Sequence, residues 1–403
     1  MQADMTESVH KRVVLHFPGF ERMDTQAHHS RFKRTAYQSA KVWDFSADIG
    51  PLRKSGSASD FAVVCNGENW QTSSRIYICD HNTLVERLTG RPVSQRIVSG
   101  FLSAARVVEQ GGLAAYFRHA WRFGLFFLFP FLLVAIALAT SLALAALPGL
   151  SGLTPWHYLW SLPLAWAFFG AVFLPFSERF HTLHLFADWE LAVAAANMDN
   201  PILMDWLEDC VDTVLKALDE DADEYVISSH SMGSSLATHV LGMVLERNPH
   251  ALEGRRVVFV TLGGAILQCA LLRPATRLRR RVGLIARARD VSWLEVQCLT
   301  DVIHFYKSRV VALSGHPDAP QAGLLSIRVK HLLSTERYKK IRRDFLRVHR
   351  QYVLHPDLRG PFDFTLLTTG PFPARSLTDF SKLDFDRLST RTPAVRHSER
   401  LGL

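Results

Sequence analysis

The feature that most constrains this chain is a long stretch without charged side chains. Residues 123–177 contain no Asp, Glu, Lys or Arg, and Pro148 and Pro155 divide the stretch into two apolar runs. A helix needs about 20 apolar residues to cross the hydrocarbon core of a bilayer, and each run is long enough. Aromatic side chains, which favour the headgroup region of membranes, lie between the runs: Trp156, Tyr158 and Trp160. We therefore predict a transmembrane hairpin of two helices rather than a helical pair buried in a soluble core.

The positive charges that flank the hairpin predict its orientation. Arg118 and Arg122 precede the first run and Arg179 follows the second, whereas the link between the runs carries no charge. Because positively charged flanks stay in the cytoplasm, we expect both ends of the hairpin on that side of the cell (inner) membrane. The segments before and after the hairpin can then join in one cytoplasmic domain.

The excess of basic over acidic residues is better explained by a membrane surface than by a nucleic acid as partner. The net charge is +8, but the Lys and Arg residues are interrupted by acidic and apolar residues and match no motif that reads DNA or RNA. Anionic lipids attract the same excess of positive charge. We therefore expect the lipid bilayer as a partner, and no nucleic acid. The first residues, MQADMTESVHKR, lack the apolar segment of a signal peptide.

Short apolar runs alternate with helical segments through the rest of the chain. The predicted strands before and after the hairpin cover residues 13–17, 61–65, 75–79, 257–262, 294–299 and 325–329. This alternation favours an α/β fold with a mostly parallel sheet flanked by helices. We expect an N-terminal part of this domain (1–117), the hairpin (118–179), a C-terminal part (180–355) and an extension (356–403). The extension is rich in Pro, Ser and Thr, which predicts partial disorder.

A strand, a tight turn and a helical start follow one another in residues 225–237, YVISSHSMGSSLA. Ser231 lies at the turn, in an order one residue away from the G-x-S-x-G nucleophile elbow. The residues two before and two after it, Ser229 and Gly233, are small, as such a sharp turn requires. Because a serine hydroxyl is a weak nucleophile, it needs a base within hydrogen-bond distance and an acid that orients the base.

In these residues the chain resembles the α/β-hydrolase superfamily. The resemblance covers about residues 11–352 and includes the sequence HFPGF, which is similar to the loop that donates an oxyanion N–H in that family. It implies N–H donors at Met232 and at Phe17 or Gly19, since the intervening proline has no N–H. It also implies that the hairpin is inserted between the early strands and the elbow. The chain departs from the family pattern at Ser229, where the motif has glycine.

The resemblance implies that the acid and then the histidine follow the nucleophile in the chain. Asp301 comes directly after the predicted strand LEVQCL, where that acid belongs, and Asp290 and Asp318 are weaker candidates. His349 begins an H-x-x-Y arrangement and is the predicted base. His331, immediately after the last predicted strand, is the alternative base.

The other histidines near these motifs have different predicted roles. His230 points away from the adjacent serine in such a turn, and His304 is expected to pack in a loop. His16, His28 and His29 have no carboxylate at metal-ligand spacing, so we expect them to orient the loop or to contact substrate. The five cysteines are scattered and predict free thiols. We therefore predict no metal and no other cofactor.

These features predict a membrane-anchored serine hydrolase that cleaves an ester or thioester through an acyl-enzyme. Its triad is Ser231, His349 and Asp301, and a lipid ester is one candidate substrate. The alternative is a catalytically inactive α/β-hydrolase-like module that binds a partner at the membrane. A transporter is disfavoured because neither apolar run contains an acid or a base that would mark an ion pathway. The sequence indicates neither the substrate's identity nor the oligomeric state.

Overall fold

The computed structural model describes residues 8–55, 58–377 and 379–385. In this part of the chain nine strands form one sheet: β1 (Lys11–Phe17), β2 (Ser46–Ile49), β3 (Arg53–Ser55), β4 (Ala58–Asn66), β5 (Gln71–Ile78), β6 (Glu224–His230), β7 (Val257–Leu262), β8 (Val291–Cys298) and β9 (Gly323–Ile327). The strand order is β2-β4-β5-β1-β6-β7-β8-β9, and β3 pairs with β4. Neighbours from β5 to β9 are parallel, whereas β4 pairs antiparallel with β2, β3 and β5. The sheet is thus mixed but mostly parallel.

Helices lie on both faces of the sheet. Their bounds are α1 (Thr25–Trp43), α2 (Asn82–Thr89), α3 (Val93–Glu109), α4 (Gly112–Leu150), α5 (Tyr158–Ala167), α6 (Leu174–Glu178), α7 (Thr182–Asn197), α8 (Pro201–Leu218), α9 (Met232–Arg247), α10 (Ile266–Ala270), α11 (Thr276–Arg287), α12 (Val310–Leu313), α13 (Thr335–Ile341), α14 (Phe345–His349) and α15 (Phe364–Thr369). Successive side chains of a strand point to opposite faces. Accordingly, Val13 and Leu15 of β1 pack with α7, α8 and α9, and Val14 packs with α1 and α15. The predicted α/β class is confirmed.

Two helical stretches, α4 and Pro155–Glu178, are long and apolar enough to cross a membrane. They pack against each other, and the hydroxyl of Ser161 donates a hydrogen bond to the carbonyl of Ala145 at 3.2 Å. Strands that precede them in the chain and strands that follow them lie in the same sheet. The helical hairpin therefore leaves and re-enters one domain, and its composition indicates membrane association.

The first turns of the uncharged stretch belong to the core of the domain. Phe127 meets Trp189 of α7 edge-on at 4.7 Å between ring centroids, and Phe131 stacks on Phe186 at 4.6 Å. Aromatic pairs of this kind stabilise packing beyond the area that they bury. Later turns of α4 expose large apolar side chains, as at Leu142, which is 70% exposed. The first turns of the hairpin therefore pack in the core of the domain, and only its later turns extend away from it.

The extension after residue 355 packs against the sheet through a buried ion pair. Arg12 of β1 and Glu224 of β6 lie 2.7 Å apart, and both side chains are wholly buried. The guanidinium also donates to the carbonyl of Gly370 at 2.7 Å, and the carboxylate accepts the backbone N–H of Ala374 at 3.0 Å. This part of the extension is therefore held against the central strands. Residues 386–403, to which the predicted disorder also applies, lie outside the described residues.

We expect Glu224→Gln to lower the free energy of unfolding by about 3–5 kcal/mol, because it leaves the Arg12 guanidinium buried without its counter-charge. Chemical denaturation of the purified protein in detergent measures this loss. Asp221→Asn is the matched control. Asp221 pairs with Lys11, which precedes Arg12 in β1, but both of these side chains are exposed. Exposed pairs contribute little, so the control variant should unfold like the parent. Equal losses in the two variants would contradict this assignment.

Candidate active site

Ser231 occupies a strained turn between β6 and α9. Its backbone has φ 52° and ψ −126°, a combination that costs free energy for any residue other than glycine. The N–H of Ser231 donates to the carbonyl of Leu262 at 3.1 Å, and its carbonyl accepts the N–H of Ala265 at 3.1 Å. The surrounding backbone thus holds this conformation, which has the strand-turn-helix form of a nucleophile elbow.

Small side chains on both sides of Ser231 allow the turn to pack closely. A Cβ at Gly233 would lie 2.3 Å from the carbonyl oxygen of Pro18 and 2.4 Å from that of Phe17. Only glycine therefore fits beside the loop that follows β1. Ser229 is fully buried, and its hydroxyl donates to the carbonyl of Val260 at 3.0 Å. The serine that replaces the motif's first glycine is accommodated by this hydrogen bond.

His349 and Asp301 form a buried hydrogen-bonded pair. Nδ1 of His349 lies 2.6 Å from Oδ2 of Asp301, and each residue is only 3% exposed. The N–H of Ile303 donates to the second carboxylate oxygen at 2.9 Å. Burial alone would raise the pKa of Asp301, but the charge of His349 and its hydrogen bond lower that pKa to about 2. Asp301 is therefore ionised at neutral pH and fixes the orientation of the imidazole.

Ser231 and His349 border the same cavity, which has a volume of about 30 Å³. Nε2 of His349 is buried and has no hydrogen-bond partner among the described residues. Since Nδ1 faces Asp301, Nε2 is the nitrogen left to accept a proton from a nucleophile. A cavity of this volume has room for only about one or two water molecules. A larger ligand requires side chains at its wall to move.

Two buried rings, those of Tyr352 and His304, contact the turn that carries Asp301. The hydroxyl of Tyr352 accepts the N–H of Cys298, the last residue of β8, at 2.9 Å. Nε2 of His304 lies 2.9 Å from the carbonyl of Cys298 and 3.9 Å from Oδ2 of Asp301. Both contacts fix the turn that carries Asp301. His304 thus packs in the loop, as predicted, and Tyr352 accounts for the H-x-x-Y arrangement that begins at His349.

The alternative acids and the alternative base lie elsewhere. His331 follows β9 in a short 3-10 turn and is exposed. Asp290 precedes β8, at the opposite end of that strand from Asp301, and is exposed. Asp318 is also exposed. None of these three described residues borders the cavity, whereas His349 does.

The predicted oxyanion donors differ in whether they border the cavity. Met232 is the first residue of α9, where helix N–H groups lack intrahelical partners and the helix dipole is positive. Gly19 borders the cavity, and a Cβ there would lie 3.2 Å from the Cβ of Ser231. Phe17 is not among the residues that line the cavity. Gly19 is therefore the better placed of the two candidates for the second donor.

Sequence reasoning missed Glu21, which closes one side of the cavity. It is buried and forms ion pairs with Arg31 of α1 and with Arg350, whose Nε lies 2.8 Å from the carboxylate. Burial would raise the pKa of Glu21, but the charge of Arg31 holds it well below its usual range. Because Arg350 is next to His349, these ion pairs connect the residue after the HFPGF loop to the segment that carries His349. The signal in the sequence was the position of Glu21 directly after that loop.

Asp188 is a second carboxyl group at the cavity that the sequence did not indicate. It lies in α7, where its oxygen accepts a hydrogen bond from the amide of Gln268 at 3.2 Å. Burial raises the pKa of Asp188 to about 6. His184, one turn earlier, has its pKa lowered to about 4 by burial and by the charge of Arg350. A mostly apolar helix gives no sequence signal that these two polar groups face a site.

The described residues contain no cluster of three His, Cys, Asp or Glu side chains arranged to hold a metal ion. The histidines near the HFPGF loop have separate protein partners. Nδ1 of His28 accepts from Arg31 at 3.0 Å, and Nε2 of His29 donates to the carbonyl of Gly50 at 2.9 Å. His230 borders the same cavity as Ser231, although it was expected to point away from that serine, and its Nε2 donates to the backbone carbonyl of His349 at 3.2 Å. These histidines thus support the loop and the elbow.

Comparison with protein-family models, with curated proteins and with solved structures found no match. The resemblance to the α/β-hydrolase superfamily consequently depends on the motifs and the geometry of this chain alone.

Gly233→Ala should lower the free energy of unfolding by about 1–3 kcal/mol, because the new methyl group would overlap two carbonyl oxygens. Gly323→Ala is the control, since its Cβ would meet the nearest atom at an ordinary 3.5 Å. Denaturation of both variants by urea, followed by tryptophan fluorescence, measures the difference. If Gly233→Ala is as stable as Gly323→Ala, the close contact between the elbow and the β1 loop is wrong.

Proposed function

We propose that this protein is a membrane-anchored serine hydrolase that cleaves an ester or thioester bond. The observation that carries the proposal is the buried hydrogen bond between Nδ1 of His349 and Asp301, which leaves Nε2 without a partner among the described residues, beside a cavity that both His349 and Ser231 border. The strained backbone of Ser231 adds support, because strain of this kind is maintained at functional turns. The resemblance of these residues to the α/β-hydrolase superfamily agrees with the same reaction class.

In the proposed reaction, His349 acts first as a base and then as an acid. Nε2 takes the proton of the Ser231 hydroxyl as Oγ attacks the substrate carbonyl carbon, and Asp301 stabilises the imidazolium. The carbonyl oxygen becomes an oxyanion that the N–H groups of Met232 and Gly19 stabilise. The imidazolium then protonates the leaving alcohol or thiol, which leaves an acyl-enzyme. Water repeats the two steps with His349 as base, releases the acid and restores the serine.

We further propose that the protein is a cell (inner) membrane protein with its site on the cytoplasmic side. The support for the membrane is the pair of long apolar helices α4 and Pro155–Glu178. The support for the side is the positive charge at both hairpin ends, since such charge is retained in the cytoplasm. Lipids are then the substrates in closest reach, and no metal or other cofactor is required for the chemistry.

A second candidate function is a catalytically inactive module that binds a partner at the membrane. One observation favours it: within the described residues, Nε2 of His349 has no hydrogen-bond partner, so the Ser231 hydroxyl does not donate to it in this conformation. Catalytic hydrogen bonds often shorten only when substrate binds, so this geometry is compatible with activity too. Turnover of p-nitrophenyl esters that disappears with Ser231→Ala would eliminate the inactive module.

Ser231→Ala should abolish covalent labelling by a fluorophosphonate probe, because the probe reacts with an activated serine hydroxyl. Gel fluorescence of the labelled protein in detergent measures this. Ser234→Ala is the matched control: its hydroxyl is buried one turn along α9 and has no hydrogen-bond partner among the described residues. Its loss should leave labelling intact. Labelling that persists in Ser231→Ala, or that is absent from the parent protein, would refute the proposed nucleophile.

A further inference from the structure

One wall of the catalytic cavity is formed by the first helix of the hairpin. Phe126 of α4 borders the same cavity as Ser231 and His349 and is 6% exposed. It lies inside the uncharged stretch that begins at residue 123. The helix that is apolar enough to cross a membrane is therefore also part of the site. The hairpin does more than attach the domain to the membrane.

Another side of the same helix turn is exposed. Leu125, next to Phe126, is 49% exposed, and Leu132, two turns along, is 55% exposed. An α-helix with its side chains is about 10–12 Å wide. A single helix thus separates the catalytic cavity from an exposed apolar surface, which would face lipid if α4 enters the membrane.

The lining of the cavity combines apolar and polar side chains. Its apolar members are Phe126, Leu185, Ile303 and Leu346, and its polar members include the ion pair between Glu21 and Arg350. The apolar side chains favour an extended hydrocarbon chain, since burial of each methylene group contributes about 0.8 kcal/mol. The polar side chains suit the carbonyl and the leaving group at the reacting end.

The wall must move before a chain can bind. The cavity volume of about 30 Å³ is far below the roughly 300 Å³ at which ligand pockets begin. Phe126 and Phe129 each meet Phe345 edge-on with ring centroids 5.6 Å apart. Phe345 begins α14, the short helix that ends in His349. Rotation of the Phe126 ring away from Phe345 would therefore enlarge the cavity that both Phe126 and His349 border.

We propose that the substrate carries a long acyl chain that binds against Phe126 and reaches Ser231 from the bilayer along α4. The proposal rests on the proposed function of Ser231 and names its substrate class: lipid-type esters or thioesters rather than short, freely soluble ones. Phe126 is the residue that determines chain-length selectivity. Delivery from the bilayer and delivery from water are distinguished by the experiment.

The test compares the kcat/KM of the full chain, reconstituted in phosphatidylcholine vesicles, for p-nitrophenyl palmitate and p-nitrophenyl acetate. The parent protein should prefer palmitate. Phe126→Trp should lower the palmitate-to-acetate ratio by about tenfold, because a larger ring fills the space for the chain, and Phe126→Leu should not lower it. Leu125→Trp, on the exposed face of the same turn, is the matched control and should keep the parent ratio. An unchanged ratio in Phe126→Trp would overturn the proposal.

Fluorophosphonate labelling of each variant keeps the outcomes distinguishable. Variants that label at Ser231 but all keep the parent's palmitate-to-acetate ratio would refute the acyl-chain site, while the proposal that the protein is a hydrolase would stand. A parent protein that neither labels nor turns over ester would refute the hydrolase itself.

To separate the sources, palmitate ester is supplied either in the same vesicles or on albumin in water. Faster hydrolysis of the vesicle-borne ester supports entry from the bilayer, and equal rates overturn that route.

Discussion

Parallel pairing of β1 with β6 is the constraint on which the rest of the site depends. The register aligns Phe17 with Ser229, so both strands end at the same edge of the sheet. The HFPGF loop and the turn at Ser231 must then emerge side by side, and Gly233 allows their backbones to come into contact. Because β7 and β8 continue the parallel sheet, the turn after β8 brings Asp301 to that edge as well. Ligand sites of parallel sheets usually form at the carboxyl ends of the strands for this reason.

The hairpin adds one more contact to this arrangement. Its first helix packs on α7 and meets Phe345 of α14, the short helix that ends in His349. Phe126 contributes to the cavity while neighbouring side chains remain exposed. A helix that is long and apolar enough to cross a membrane is thus packed directly against the cavity that Ser231 and His349 border. Under the proposed function, packed side chains rather than a flexible connection link this helix to the catalytic residues.

Much of the fold follows from local sequence, and much of the site does not. Buried parallel strands are continuous apolar runs, which is why the strand positions on both sides of the hairpin were predicted within a few residues. The edge strand β2 lacks such a run, because pairing with β4 rather than burial defines it. Ser231, Asp301 and His349 could be proposed from the sequence because each lies at a readable strand end or motif, and the structure brings Asp301 next to His349 and places His349 at the same cavity as Ser231. Glu21 and Phe126 were not, since only tertiary packing brings an ion pair and a membrane-helix ring to the cavity.

The most direct test of this account is a structure of the protein after reaction with diisopropyl fluorophosphate. The account predicts a covalent bond from phosphorus to Oγ of Ser231, with Nε2 of His349 within hydrogen-bond distance of that oxygen. It also predicts a phosphoryl oxygen about 2.7–3.1 Å from the N–H groups of Met232 and Gly19. A phosphoryl group on another residue, or an adduct whose oxygen faces away from both N–H groups, would contradict it.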